Sequence, residues 1–488
     1  QQLTVNHLNY QGESGAIQAT GQLAWHNGLT WDSQLKLQQL HTIVWQPNVD
    51  AVLSGSTELS GKWMPDTKQL QLAQSQLTGY FNNTPLKIDS KRFSIDIKPF
   101  SLTHFPAFDS HQTDLTWGKN KLLLNGGLAA NTWNVVADVQ LEDMAQLSAK
   151  AQGQVNGQLI VQGEHQHPSL TIDLHGKDVS YENKISFNSV ELAGSLNQLG
   201  QHQSELQMTV HNMEFAERIV PDAAIAIKGT QDKHHVTWQL LAQPVVAEGQ
   251  LQGSLDSRFN WQGQSQDGLV KVGDFLWILQ NPFDLVWSTA KKQVLASEHC
   301  WLAEQAQLCN QDNLTLSPQQ AHINIALNNL EMSRLSALLP EDLAWQGSLE
   351  GQATVDWQAK QLPQLQARLV TNNGEIGLAQ EEGEAITLPY HQLRLTAHNN
   401  EDNHIAVRFD MQAPNMGQGY VDARIDPQSS PYQMNGAMLL EKVNLAILKP
   451  FMPNMRHLAG EINLSGGLTG EITRPDFYGE FSLKDGEV

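Results

Sequence analysis

Two cysteines, Cys300 and Cys309, are the only ones in the chain, and eight residues separate them. A short strand-turn-strand segment brings two such Cα atoms within the ~4.4–6.8 Å that a disulfide requires, so the spacing predicts a bridge and, with it, an oxidising compartment. Two buried free thiols are the alternative. A metal centre is the weakest reading, because two sulfurs with the neighbouring His299 fall short of the four ligands of a zinc site. The acidic group Glu381, Glu382 and Glu384 resembles a paired-carboxylate site, but nothing holds two carboxyls across a cleft, and a solvated loop is expected. His234 and His235 are adjacent, point to opposite faces of a strand and make poor joint ligands. Gly417-Gln-Gly419 is a fragment of a dinucleotide fingerprint without the helix that should follow, and reads as a turn. With no nucleophile elbow, zinc-protease helix, phosphate loop or calcium loop, the chain reads as a non-enzyme that needs no cofactor.

Composition narrows the classes further. The 488 residues carry 30 Lys and Arg against 51 Asp and Glu, a formal charge of -21, which excludes a role in neutralising nucleic-acid phosphates. Hydrophobic residues make up 40% and charged ones 17%, so uncharged polar side chains, Gln and Asn above all, carry the surface of a chain that folds. Apolar runs such as Leu276-Trp277-Ile278-Leu279 are far shorter than the ~20 residues of a bilayer-spanning helix, so no transmembrane segment is expected in this chain. It starts at Gln1 and stops at Val488 inside an apparent strand, and is expected to be an internal piece of a longer protein.

The elements that position these residues are strands. Leu170, Ile172 and Leu174 alternate with polar residues, as do Leu206, Met208 and Val210; Ile323, Ile325 and Leu327; and Ile405, Val407 and Phe409. A period of two puts each apolar set on one face of a sheet. Turn chemistry at His26-Asn27-Gly28, Pro65-Asp66, Asn125-Gly126-Gly127 and Asn372-Asn373-Gly374 predicts antiparallel hairpins. Helices are expected only as short segments, Leu330 to Leu339, Val443 to Phe451 and Leu141 to Leu147. These cannot cover the sheet, which must pair into sandwiches or barrels or else curl round its own apolar face.

Internal repetition favours the curl. Leu335, Pro340 and Gly347 recur at the same spacing as Leu448, Pro453 and Gly460, with a strand and a proline turn after each, at Pro363 and Pro475. Met144, Leu147 and Gly153 form a looser third copy. Repeats without linkers read as one continuous array over 1–488, with approximate boundaries at 1–140, 141–329, 330–442 and 443–488. The expected fold is all-β: an elongated, repeating antiparallel β-groove, a taco-like curled sheet with an apolar interior and a few short helices.

His299-Cys300-Trp301 with Leu308-Cys309, the short helix running through Leu-Pro to Gly-x-Leu, and the strands answering to a proline turn together resemble the TamB family, within the wider AsmA-like group of Gram-negative envelope proteins. The resemblance covers essentially the whole chain. It implies a periplasmic β-groove whose interior conducts phospholipids between the inner and outer membranes in support of outer-membrane integrity, the full-length protein being anchored in the inner membrane. It also implies an outer-membrane assembly-module partner, whose contacts fall outside this sequence.

The residues themselves point more weakly to the same end. A trough lined by Leu170, Ile172, Leu174, Leu206, Met208, Val210, Ile323, Ile325, Leu327, Ile405, Val407 and Phe409 would offer acyl chains a dry path; filled by side chains, it would be a core. The other reading is a scaffold whose strand edges pair with an outer-membrane protein or autotransporter precursor. Six tryptophans, Trp25, Trp31, Trp63, Trp117, Trp133 and Trp357, either plug strand ends or form a sugar platform.

Overall fold

The computed structural model describes the chain except residues 45–48, 98–104, 183, 216–217, 274, 339–342, 379–385, 401, 403, 414–416, 446–458 and 488. The acidic group at 381–384, most of the segment expected to be helical at 443–451, and Pro340 and Pro453 lie outside the described residues. The chain divides into two compact units, Gln1–Gln243 and Pro244–Val488.

The first unit is an antiparallel meander running from strand Gln2–Gly12 to strand His234–Ala242, in which each strand pairs with the next. The second unit runs from Val245–Leu255 to Arg474–Glu487. The described helical segments are 3-10 turns, Thr42–Val44, Met144–Gln146, Asn197–Gly200 and Met332–Leu338, with Leu445 a further 3-10 residue. No described helix is long and apolar enough to cross a membrane. The segments expected as helices are therefore tighter and shorter. Leu141 ends a strand, and the turn after it is capped by Asp143, whose carboxylate accepts from Ala145 N–H at 3.1 Å. Leu330 also ends a strand, because its side chain is buried with Ala303 and Ala306. Val443 and Asn444 close the strand Gln433–Asn444.

Two of the four expected turns lie within strands, at bulges. Asn125 to Gly127 lie inside strand Asn120–Ala129, where the register slips between Ser110 and Thr113 of the partner, and Asn125 Oδ1 accepts from Gln112 N–H at 2.8 Å. Asn372 to Gly374 lie inside strand Gln364–Leu378, opposite a slip between Gln346 and Ser348. Asn-Gly chemistry supplies positive φ, which serves a bulge as well as a hairpin. The repeat glycines share this role: Gly153, Gly347 and Gly460 have φ of 102°, 135° and 114° and sit at register slips near the starts of their strands. A bulge sharpens local twist. With no second layer among the described residues to cover them, apolar side chains are sheltered only if the sheet curls about that face, and curling is what recurrent bulges provide.

In the second unit the sheet forks. Strand Trp261–Val272 pairs through residues 269–272 with Phe275–Leu279 and through 261–265 with Phe283–Ser288. The first branch continues through His299–Ala303 and Ala306–Asn310, the second through Gln293–Ala296 and Leu314–Leu316. Both rejoin on strand Gln320–Glu331. Stacked rings of Phe283 and His299, 4.0 Å between centroids, span the seam. Cys300 and Cys309 face each other within the first branch and form a disulfide, with Cα atoms 4.0 Å apart. The bridge holds a hairpin of two five-residue strands whose tip, Ala303 and Ala306, packs against Leu330 and the 3-10 residue Leu335.

Candidate functional site

Directly opposed residues of antiparallel strands share a face. Following these pairs through the first unit gives one unbroken row, one residue per strand: Tyr10, Ile17, Leu37, Gly55, Leu77, Ile88, Leu115, Leu122, Val139, Gly157, Leu174, Leu192, Met208, Ile225 and Trp238. No polar side chain interrupts it. In the second unit a corresponding row runs Leu279, Trp301, Leu308, Leu327, Gly351, Leu369, Leu395, Phe409, Val421 and Met438, then Gly466 and Gly479.

The register therefore places the twelve residues singled out by sequence as two coherent sets. Leu174 and Met208 stand in the first row, Ile172 and Leu206 share the next row through Gly194, and Leu170 and Val210 lie on the same face. In the second unit Leu327 and Phe409 stand in the row traced above, whereas Ile325 and Val407 share a neighbouring row through Ala353, Ala367 and Ala397. Ile323 and Ile405 lie on that same face. Of the first unit's row only Leu37 and Leu77 are buried. Met208 keeps 38% of its surface exposed, Ile325 37%, Leu369 39% and Leu395 38%. Val210, by contrast, is buried at 4%, and Leu327 and Phe409 pack against buried clusters, so the face is open at some positions and filled at others.

Sequence reasoning missed two polar features on this face. Thr57, Ser75, Ser90 and Ser110 are buried on the apolar side of the first unit, Ser75 with no exposed surface. Their hydroxyls satisfy one another: Thr57 Oγ1 to Ser75 Oγ at 2.6 Å, Ser90 Oγ to Thr113 Oγ1 at 2.7 Å, and Ser110 Oγ, which donates to the Leu124 carbonyl, to Thr113 Oγ1, each at 2.8 Å. In the second unit the buried Tyr390 hydroxyl lies 2.7 Å from Thr371 Oγ1, donates to the Gln346 carbonyl at 3.1 Å and accepts from Trp345 Nε1 at 2.9 Å. Space for it comes from Gly347 and Gly374, where an added Cβ would stand 2.5 and 2.1 Å from that hydroxyl. The signal was present in the sequence as hydroxyls at positions where the alternation requires apolar residues.

The opposite face is polar and carries ion pairs. His322 is held between Asp356, 2.6 Å from Nδ1, and Asp312, 3.1 Å from Nε2. The Asp356 hydrogen bond, with a smaller contribution from Asp312, raises its pKa above the ordinary histidine value. The Arg408 guanidinium lies 4.4 Å over the Tyr420 ring and pairs with Asp410 at 2.9 Å, which raises its pKa. Among the described residues no group of three or more His, Cys, Asp or Glu is arranged to hold a metal ion. His234 is buried, its Nδ1 3.0 Å from the Thr230 carbonyl, whereas His235 is exposed. Gly417 and Gly419 lie in strand Gly417–Asp426, not in a turn. The tryptophans are dispersed: Trp117 packs on Phe81, Trp133 on Phe105 and Phe108, Trp31 leans over Gly61, and Lys68 sits over Trp63.

A profile of the TamB N-terminal domain matches residues 1–483. The chain belongs to the TamB family. It is similar to the translocation and assembly module subunit TamB of Haemophilus influenzae, with 20% identity over 489 aligned residues that cover 99% of this chain and 36% of that protein. It thus spans about a third of that relative's length. No solved structure matches it.

Proposed function

We propose that the apolar face of each unit holds phospholipid acyl chains, and that this segment conducts phospholipids across the periplasm between inner and outer membranes without catalysing a reaction. The observation that carries the reading is the unbroken apolar row of the first unit, one residue per strand, most of whose members keep part of their surface accessible to solvent. A dry, continuous path is what a lipid tail needs, since each methylene kept from water is worth about 0.8 kcal/mol. The polar opposite face keeps such a segment in water. The Cys300–Cys309 bridge supports an oxidising compartment such as the periplasm. Membership of the TamB family supports an inner-membrane anchor and an outer-membrane assembly-module partner, both engaged through other parts of the full-length protein.

The similar protein's name, a translocation and assembly module subunit, supports a second reading, in which the segment assists assembly of outer-membrane proteins or autotransporters by strand pairing. Native mass spectrometry separates the two. The conduit reading expects phospholipid carried through purification of the 488-residue chain. Lipid-free protein that binds strand peptides would overturn it in favour of the scaffold.

A further inference from the structure

Beside the fork in the second unit lies an open pocket of about 300 Å³, lined by Glu298, His299, Asn310, Gln311 and the Cys300–Cys309 bridge together with Asn281. By register the two cysteines belong to one face and His299 and Asn310 to the other, so the cavity lies in the seam of the sheet itself. Its polar groups include one buried acceptor without a partner. Asn310 is 6% exposed, and its Oδ1 has no hydrogen-bond partner. Its Nδ2 donates to the Asp312 carbonyl, which fixes the orientation of the amide. His299 Nδ1 donates to the Ser297 carbonyl at 2.7 Å, which fixes the orientation of the ring. Glu298 adds a carboxylate, and no lysine or arginine lines the cavity.

The Asn281 and Gln311 carboxamides can donate as well as accept, but the one charge that Glu298 brings is negative, which favours a cationic donor as the partner of Asn310. One water would satisfy Asn310 in only ~10–15 Å³, a small part of the space present. Position adds the second constraint: Asn310 is directly opposed to Ile325, the start of the row that runs through Ala353, Ala367 and Ala397 to Val407. We propose that the seam cavity receives the primary ammonium of an amine-bearing phospholipid headgroup, while that lipid's tails lie along the row beginning at Ile325. This rests on the conduit reading above and adds headgroup selection to it.

The test loads the whole chain from vesicles of equal phosphatidylethanolamine and phosphatidylglycerol, then measures total bound lipid and the ratio of the two. The wild-type chain should be enriched in phosphatidylethanolamine. Asn310→Leu and Glu298→Gln should each reduce the enrichment by about threefold to tenfold, the equivalent of one hydrogen bond, with total lipid unchanged. Glu298 is exposed, so Glu298→Gln decides the matter if Asn310→Leu fails to fold. Bound lipid without headgroup bias, or a bias that both variants retain, overturns the seam proposal alone and leaves water as the partner of Asn310. No bound lipid at all overturns the conduit reading and this proposal with it. Displacement of lipid by equimolar glycerophosphoethanolamine would assign the site to a soluble amine and overturn the lipid source.

Discussion

Ile325 and Val407 stand in one cross-strand row, so a charge at either tests whether the apolar face is open or sealed. Burying a whole isoleucine side chain is worth ~1.5–3 kcal/mol. Because Ile325 keeps 37% of its surface exposed, Ile325→Asp forfeits only part of that, about 1–2 kcal/mol, and the new carboxylate reaches water. In a sealed core the same carboxylate would be an unpaired buried charge costing several kcal/mol more. At roughly 2–4 °C of melting temperature per kcal/mol for a unit of this size, the open face expects a fall of about 2–8 °C. The control belongs on the polar face, but Asn324 is unsuitable, since its Nδ2 donates to Asp312 at 2.8 Å and Asn324→Asp would set two carboxylates together. Gln352→Glu is the better choice, being exposed and directly opposed to Arg368. Melting is followed by circular dichroism and bound phospholipid by native mass spectrometry. Both charged variants should fold and lose lipid, while Gln352→Glu keeps it. Unfolding of Ile325→Asp would refute the open face; stable variants with a full lipid load would refute the conduit.

Tyr390→Phe removes the hydroxyl that joins Trp345, Thr371 and the Gln346 carbonyl and should destabilise the second unit by about 1–3 kcal/mol, read from denaturant melts; an unchanged midpoint would show that the hub is not needed. Reducing Cys300–Cys309 frees a short loop worth about 2–3 kcal/mol in the chain-entropy model, so hydrogen exchange should quicken in the hairpin His299–Asn310 while the remainder of the unit is unaffected. Protonated His322 is held by Asp356 and Asp312, and its folded pKa lies above the unfolded value. Its contribution is therefore complete below about pH 6.5 and is lost as pH rises through the folded pKa. The melting difference between the wild-type chain and His322→Gln should accordingly shrink as pH rises above about 6.5, and a constant difference would contradict the assignment.

The strands were legible because the period-two alternation at Leu170–Leu174 or Ile405–Phe409 belongs to an antiparallel sheet with one wet face. Register was not, since it depends on bulges, and Asn125-Gly126-Gly127 carries the same positive-φ chemistry whether it reverses the chain or kinks a strand. The fork left only indirect marks. Its strands are three to six residues long, and the run Leu276-Trp277-Ile278-Leu279 is apolar on both faces, Leu276 and Ile278 being exposed opposite Trp277 and Leu279. Asn310 could not be singled out, because what distinguishes it is an oxygen without a partner, a property of packing and not of residue type.

The row of the first unit also works as a ruler. Strands lie about 4.8 Å apart, so its fifteen members trace a contour of roughly 65–70 Å along the sheet. One leaflet's tail is half of a ~30 Å hydrocarbon core, so the contour equals about four tails end to end. Each hairpin adds two members, about 9.6 Å, and touches only the strand before it. Duplicating hairpins would therefore lengthen this span with no repacking of the strands already present.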